Sequence, residues 1–454
     1  MLNFVRLCCV KPKNKGGIRH MKDFITEFQE SLYENLINST FQDLARKGAE
    51  LMLRLALEAE INEFVESHQT KIMANGRQRI VRNGYHPERT IQTGIGNISI
   101  KVPRSRDRNQ EGRCVNGNKE QILYHSQMIP KYLRRSEHLE DFLPFLYLQG
   151  ISSTRFSDVL SQLVGKPVSF SACSLNRLKE EWDQEYQKWS RRSLSGKRYV
   201  YWWVDGIYFN VRLSDEKSCV LVIIGATAEG KKELVALDVG YRESELTWHD
   251  ILLGLKQRGL PDGPSLAVGD GSLGFWNALT KVYPSTVHQR CWVHRTRNIL
   301  DKLPKSLQSQ AKKDIHEIYQ APTKRDALNA FDRFVKVYEA KYPKAVSCLL
   351  KTKDQTLAFY NFPAEHWRHI RSTNVIESVF STVRLRTYKT RGCCKEKSIL
   401  SLVFKLVESA SQRWQKLHSS NIIPLVLAGV KYRDGILINA DADVNRCNKL
   451  AAAA

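Results

Sequence analysis

At 454 residues the chain exceeds one ordinary domain, and its 42% hydrophobic and 9% aromatic content excludes a wholly disordered polymer. Lys and Arg number 70 against 47 Asp and Glu, a formal charge of +23 that points to a polyanion, leaving nucleic acid, membrane surface and acidic protein all open. No run of 18 apolar residues occurs, no leader pattern opens the chain and ten scattered cysteines form no disulfide framework, so an intracellular protein without a membrane partner is expected.

Residues 1–30 carry Lys11, Lys13, Lys15, Arg19 and Lys22 without periodicity and read as a basic flexible tail. Between Phe24 and Val65 the residues Leu32, Leu36, Phe41, Leu44, Ala45, Ala49, Met52 and Ala56 recur mostly at spacings of three and four, a helical stripe suited to a core or a dimer seam. Thr90–Thr93 and Asn97–Val102 alternate around Gly94-Ile95-Gly96, which predicts a hairpin near 90–102. The run Pro103–Gln110, with Arg104 and Arg106, reads as an exposed basic loop that either contacts phosphates or is merely solvated.

Helical patterns return at Thr154–Leu163 and Ala172–Trp189, joined by a turn containing Gly165 and Pro167. This helix-turn-helix-like unit, near 153–190, would place Ser174, Asn176, Arg177 and Lys179 towards base edges in a major groove. Two helices joined by a turn are common in other folds too, so the pattern alone leaves open whether residues 31–195, with the hairpin near 90–102, form a mainly helical DNA-binding and oligomerisation region. From Tyr199 the pattern becomes extended. Tyr199–Val204, Ile207–Leu213 and Cys219–Thr227 read as a three-stranded antiparallel meander, with Leu234–Val239 a candidate extension of it. Helix Leu246–Arg258, strand Leu266–Gly269, a second helix and a strand near Thr286–His288 follow, then a long helical stretch from Val293 to about Leu350. Strands followed by alternating helix and strand indicate a mixed α/β sheet.

Three acids stand out. Asp205 is expected to end the first strand, Asp270 ends another short apolar strand, and Glu377 lies in the first turn of a helix. Carboxylates at strand ends can share one hard cation or two, which suits in-line attack on phosphorus. The same residues also fit plainer readings: Asp-Gly turns at Asp205-Gly206 and Asp270-Gly271, and a capping box of Asn374 with Glu377. Cys291 and His294 form a Cys-x-x-His pair that looks like half a zinc site, but no second pair of zinc spacing follows.

The words Val204-Asp205-Gly206, Gly269–Trp276 (Gly-Asp-Gly-Ser-Leu-Gly-Phe-Trp), Gln289–His294, Phe362–Trp367 and Arg371–Ser378 decide between these readings. They resemble, in order and separation, the mutator-type family of bacterial insertion-sequence transposases; the three acids are 65 and 107 positions apart. Arg82–Tyr85, Lys101–Arg104 and Tyr147–Ser152 extend the resemblance over nearly the whole chain. Ser372 and Val375 depart from the family's usual threonine and proline, and neither position supplies a ligand.

The resemblance implies that Asp205, Asp270 and Glu377 are the catalytic Asp-Asp-Glu triad and metal ligands of an RNase H-like core, with Mg²⁺, or Mn²⁺ in its place, as a pair of ions. That core would span 199–295 and 370–420, interrupted by an all-α insertion at 296–369 and followed by a tail at 421–454. Cys291 and His294 match a family motif that supports the site. Arg384, Arg386, Lys389 and Arg391 would line a cleft for a DNA backbone, and Arg371 would touch DNA or orient the glutamate. The expected function is a DNA transposase that binds terminal inverted repeats and target DNA as a dimer or higher homo-oligomer, in the cytoplasm or nucleoid if bacterial. The rivals are a catalytically inactive relic that only binds DNA, and a nuclease acting on RNA or branched DNA.

Overall fold

The computed structural model describes residues 40–109, 114–115, 118–119, 121–151, 155–164, 172–210, 217–240, 244–271, 273–389 and 396–438. The expected basic tail lies outside the described residues. The chain divides into two compact units, residues 1–147 with 151–171, and residues 148–150 with 172–454. Among the described residues no helix is long and apolar enough to cross a membrane.

The first unit is built on helix α1 (Phe41–Ser67) and strands β1 (Ile80–Tyr85), β2 (Arg89–Thr93), β3 (Gly96–Ile100) and β4 (Pro103–Asp107). The Thr40 hydroxyl accepts from the Asp43 amide and starts α1, whose Leu57 packs with Ile91, Ile98, Ile100 and Ile129. The predicted hairpin forms as an antiparallel β2–β3 pair running from Arg89 opposite Ile100 to Thr93 opposite Gly96.

The expected basic loop at 103–110 is instead largely strand. β4 pairs antiparallel with β1, burying Pro103, Ser105 and Asp107 while Arg104 and Arg106 face outward. The polar interior positions disguised this alternation. Asp107 is held by two hydrogen bonds from Arg79 at 2.9 Å and by the amides of Asn109 and Ile122. These donors hold its carboxyl below the usual range, against burial that pushes it up. Helices α2 (Glu137–Leu148) and α3 (Phe156–Val164) follow.

In the second unit, helix α4 (Ala172–Ser190) leads to a five-stranded mixed sheet of β5 (Tyr199–Asn210), β6 (Lys217–Thr227), β7 (Lys232–Gly240), β8 (Leu266–Gly269) and β9 (Val287–Arg290). Its spatial order is β9-β8-β5-β6-β7; β5, β6 and β7 are antiparallel, and β8 runs parallel to both β5 and β9. β5 is apolar on both faces because both are covered. Trp202 and Val204 pack with Trp248, Leu252 and Leu255 of α5 (Glu245–Gln257) and Phe275 and Leu279 of α6 (Leu273–Val282). On the opposite face the Tyr201 hydroxyl pairs with His366 Nδ1 at 2.8 Å, and Trp203 Nε1 donates to the His369 carbonyl at 2.8 Å.

β5 does not end at Asp205. It continues through Gly206 to Asn210, with Asp205 opposite Val222 and Gly206 opposite Leu221. The turn expected from Asp-Gly loses to long-range pairing with β6, and the Asp205 carboxylate accepts from the Gly206 amide at 2.9 Å.

The long helical stretch resolves into α7 (Trp292–Leu300), α8 (Lys305–Gln320), α9 (Lys324–Tyr338) and α10 (Pro343–Leu350), whose interior includes Ala311, Ile315, Phe331, Phe334 and Leu349. Helices α11 (Asn374–Lys389) and α12 (Glu396–Ser411) then return to the sheet.

The segment expected as a tail from 421 is folded to residue 438, with Ile423, Val426 and Tyr432 buried. Its Asp434-Gly435 turn is fastened by hydrogen bonds between Gly435 and the backbones of Tyr360 and Ala364, and from the Lys324 amide to Asp434. Pro424, Gly429 and Gly435 break this apolar segment into pieces too short to give a periodic signal.

The expected helix-turn-helix-like unit falls across a division of the chain. α3 belongs to the first unit and α4 to the second, and the turn between them lies outside the described residues. Trp182 and Tyr186 of α4 are buried, Tyr186 donating to the Leu237 carbonyl of β7, so much of α4 packs in the second unit.

Candidate active site

Three of the sequence words end on one row of the sheet. Gly269 is the register partner of Val204 on one side and of Arg290 on the other, and these are the last pairs of the two parallel ladders. The next residues are Asp205, Asp270 and Cys291. Asp270 thus follows the carboxyl end of β8, and Asp205, inside the longer β5, lies beside it just past the parallel pairing, the side of the sheet on which α/β folds place ligand sites.

Asp270 is held by its backbone. Its carbonyl accepts from Trp276 Nε1 at 2.8 Å and Arg290 Nη1 at 2.6 Å. Arg290 also donates to Gln355 and lies 5.2 Å from the Trp276 ring centroid. A Cβ on Gly269 would meet Trp276 at 3.1 Å and the Val204 carbonyl at 3.4 Å, which explains the glycine before this aspartate. Burial, then the neighbouring Arg295, lower the Arg290 pKa.

The chain leaves β9 directly into α7. The Cys291 amide donates to the Gly269 carbonyl at 2.8 Å, and the Trp292 amide donates to the Arg371 carbonyl at 2.9 Å. Cys291 Sγ accepts from both the amide and the hydroxyl of Thr373, each at 3.3 Å. Thr373 in turn starts α11, its carbonyl accepting from the Ile376 and Glu377 amides. The cap is thus Thr373, so the capping box of Asn374 with Glu377 is not formed. Arg371 stacks over Phe359 and Trp367 at 4.7 and 5.0 Å. That position suits orienting the entry to α11.

Glu377 Oε1 is buried without a hydrogen-bond partner, and His294 Nε2 lies 3.6 Å away, too far for a hydrogen bond. The Cys291 sulfur raises the His294 pKa to about 9, with further help from Asp270 and Asp205 and against burial. Among the described residues, Cys291, His294 and Glu377 form the one group of three ligating side chains whose atoms lie within 4.8 Å of one another. Asp205 and Asp270 are thus neighbours on the sheet and Glu377 lies beside His294, and among the described residues the three acids are not drawn together as a closed cluster.

The other expected DNA contacts are spread over the molecule. Arg104 and Arg106 are exposed on β4; Arg177 is exposed on α4 and lies 3.4 Å from Glu181, with Lys179 half-buried nearby. Arg384 is exposed on α11, 5.9 Å from the Phe380 ring. Arg386, expected to line a DNA cleft, is instead buried on the stripe shared with Val379 and Val383. Helical spacing of three and four carries it inward despite its charge. Lys389 ends α11, and Arg391 lies outside the described residues. Sequence reasoning did not single out Thr373, Trp276, Arg290 or Gln289 as parts of the site. Gln289 bridges the sheet to the Thr356 carbonyl and the Phe359 amide. Their signal lay in the shared words, most of which prove to be the clamps around the acids.

The family model described as Transposase, Mutator family, matches residues 21–417. The chain belongs to the Mutator family of transposases. It is 49% identical over 290 residues to the transposase for insertion sequence element IST2 of Acidithiobacillus ferrooxidans, covering 62% of this chain and 96% of that protein. It is 44% identical over 306 residues to the transposase for IS6120 of Mycolicibacterium smegmatis, covering 67% and 94%. A more distant relative, the transposase for IS256 in Tn4001 of Staphylococcus aureus, is 27% identical over 381 residues, covering 83% and 92%. This transposase thus spans nearly the full length of its relatives.

Proposed function

We propose that this transposase cuts and joins DNA at the terminal inverted repeats of a mobile element by divalent-metal-dependent phosphoryl transfer, with Asp205, Asp270 and Glu377 as the catalytic acids. The observation that carries this reading is the shared row: Val204 and Gly269 are register partners, so Asp205 and Asp270 follow side by side at one sheet edge. A strand meander followed by parallel strands and a helix bearing the third acid suits an RNase H-like core. The helices between β9 and α11 would be its insertion.

The residues fit a hard cation. Their donors are carboxylate oxygens, and one, Glu377 Oε1, is buried with no hydrogen-bond partner. Asp205, Asp270 and Glu377 would hold Mg²⁺ or Mn²⁺, as a pair of ions. When bound, the metal activates a water or a 3′-hydroxyl and offsets charge on the leaving oxygen.

The chain's own residues orient the acids. Trp276 and Arg290 grip the Asp270 carbonyl, the Gly206 amide restrains Asp205, and the Thr373–Cys291 bonds fix the start of the helix carrying Glu377. This positioning would favour in-line geometry before substrate arrives. Two element ends must be joined, so the active species would be a dimer or larger.

The test is incubation of the full chain with duplex carrying the element's ends, with Mg²⁺ or with EDTA. End cleavage only with the metal supports the reading. Sequence-specific binding without any Mg²⁺-dependent cleavage would replace it with a binding protein.

A further inference from the structure

The first unit contains a cavity of about 410 Å³ lined by His86, Pro87 and Arg89, by Val102–Ser105, and by Leu123–Ser126, Ile129 and Lys131 of the segment after β4. Its rim is cationic: His86, Arg89, Arg104, His125 and Lys131 all line it, and among the described lining residues there is no carboxylate. Its floor is apolar, formed by Val102, Pro103, Tyr124 and Ile129, of which Pro103, Tyr124 and Ile129 are buried.

The cations are arranged, not merely present. Arg89 donates to the Pro130 carbonyl at 2.9 Å and to the Lys131 carbonyl, so neutral acceptors fix its guanidinium. Arg104 Nε donates to the Asn83 carbonyl at 2.7 Å. The nearby carboxylates are engaged elsewhere. Glu60 accepts from Tyr124, Ser126 and the Gln127 amide behind the floor, and Glu88 faces Lys101 at 3.6 Å. His86 registers the combined field: burial first, then Arg104, Lys131, Arg89 and His125, lower its pKa.

A pocket of this size lies in the range of ~300–1,000 Å³ that takes small-molecule-sized groups, far too small for a duplex. The rim calls for an anion, and the apolar floor calls for a flat, poorly solvated body attached to it. A nucleotide has both parts, its phosphate suited to arginine and lysine and its base to an aromatic or apolar surface. We propose that this cavity seats a single unpaired nucleotide of a DNA strand, the phosphate on Arg104, Lys131 and Arg89 and the base on the Val102–Pro103–Tyr124–Ile129 floor. The proposal rests on the reading of the chain as a DNA-acting transposase and assigns one step of recognition to the first unit.

The test uses the full chain in EDTA, so that no cleavage intervenes, and measures anisotropy of a labelled blunt duplex and of the same duplex with a short single-stranded overhang. The expected preference for the overhang is about tenfold, the scale of one stacked base. Leu123 lines the cavity and is 43% exposed, so Leu123→Trp should fill the space without unfolding the unit. It should abolish the overhang preference while blunt-duplex affinity and melting temperature stay unchanged. Arg104→Glu should weaken overhang binding more than blunt binding. A deoxynucleoside monophosphate should compete for the overhang at concentrations where inorganic phosphate does not. Equal affinity for both duplexes, a preference that survives Leu123→Trp, or equal competition by inorganic phosphate would each overturn the seat while leaving the transposase reading intact. Absence of any DNA binding would instead strike at that reading as well.

Discussion

Val204 and Gly269 face each other as the last register pair of β5 and β8, which places Asp205 and Asp270 next to one another at the carboxyl edge of the sheet. Asp205→Asn, Asp270→Asn and Glu377→Gln should therefore each lower Mg²⁺-dependent cleavage and strand transfer by orders of magnitude. Each swap keeps the side-chain volume and removes one charge from the proposed metal-holding set. Binding to element ends and melting temperature should stay close to those of the unmodified chain. If the three variants unfold, the acids are structural and the catalytic assignment fails.

Much of this edge was legible in advance because its cause is local. β8 is a short apolar run ending in Gly269, with Asp270 directly after it, and Leu266–Gly269 forms as predicted. The Asp205-Gly206 turn was misread because dipeptide preference is local, whereas the eleven-residue partner β6 that extends β5 is not. β4 and Arg386 were misread for a related reason. A buried Ser, Asp or Arg resembles a surface residue until its partners are known, as Arg79 is for Asp107. The acids could be named from shared words, but not their clamps. Thr373 reaches Cys291 across 82 positions of sequence.

The C-terminal turn should matter to stability although it lies far from the acids in sequence. Gly435 has φ +79°, and an added Cβ would sit 2.5 Å from the Ala364 Cβ and 2.9 Å from its backbone. Gly435→Ala should cost about 1–3 kcal/mol, read as a clear fall in melting temperature. Gly254, inside α5 with nothing within 4 Å of a built Cβ, is the control. Gly254→Ala should be neutral or stabilising by up to ~1 kcal/mol. Equal effects at both positions would mean that residues 431–438 do not dock as described.

Acid should weaken the fold through His369. Its pKa falls from 6.5 to about 4, through burial first and then Lys232 and Arg368. Its Nε2 accepts from Arg368 Nε at 3.2 Å and the His418 amide at 3.4 Å, so the neutral ring is the bonded form. The unfolded chain binds the proton more readily, so the contribution is fully present above about 6.5 and is lost as pH falls towards 4. Urea midpoints measured across this window should drop for the unmodified chain and drop less for His369→Gln. Parallel slopes would remove His369 as the cause.

Cys291 should act as an acceptor and not as a zinc ligand. Cys291, His294 and Glu377 lie within 4.8 Å of one another, which invites a zinc reading. Against it, a structural zinc site needs four protein ligands, and Glu377 is one of the three acids proposed to serve phosphoryl transfer. The sulfur is instead engaged by the amide and hydroxyl of Thr373, tying α7 to the first turn of α11. Cys291→Ser keeps an acceptor there and should retain most of the melting temperature and cleavage. Cys291→Val leaves two buried donors without an acceptor, at about 1–3 kcal/mol for such a group, and should lower both. Elemental analysis of the purified full chain should find zinc well below one atom per molecule. About one zinc per chain, lost in Cys291→Ser, would make the trio a metal site and require a different role for Glu377.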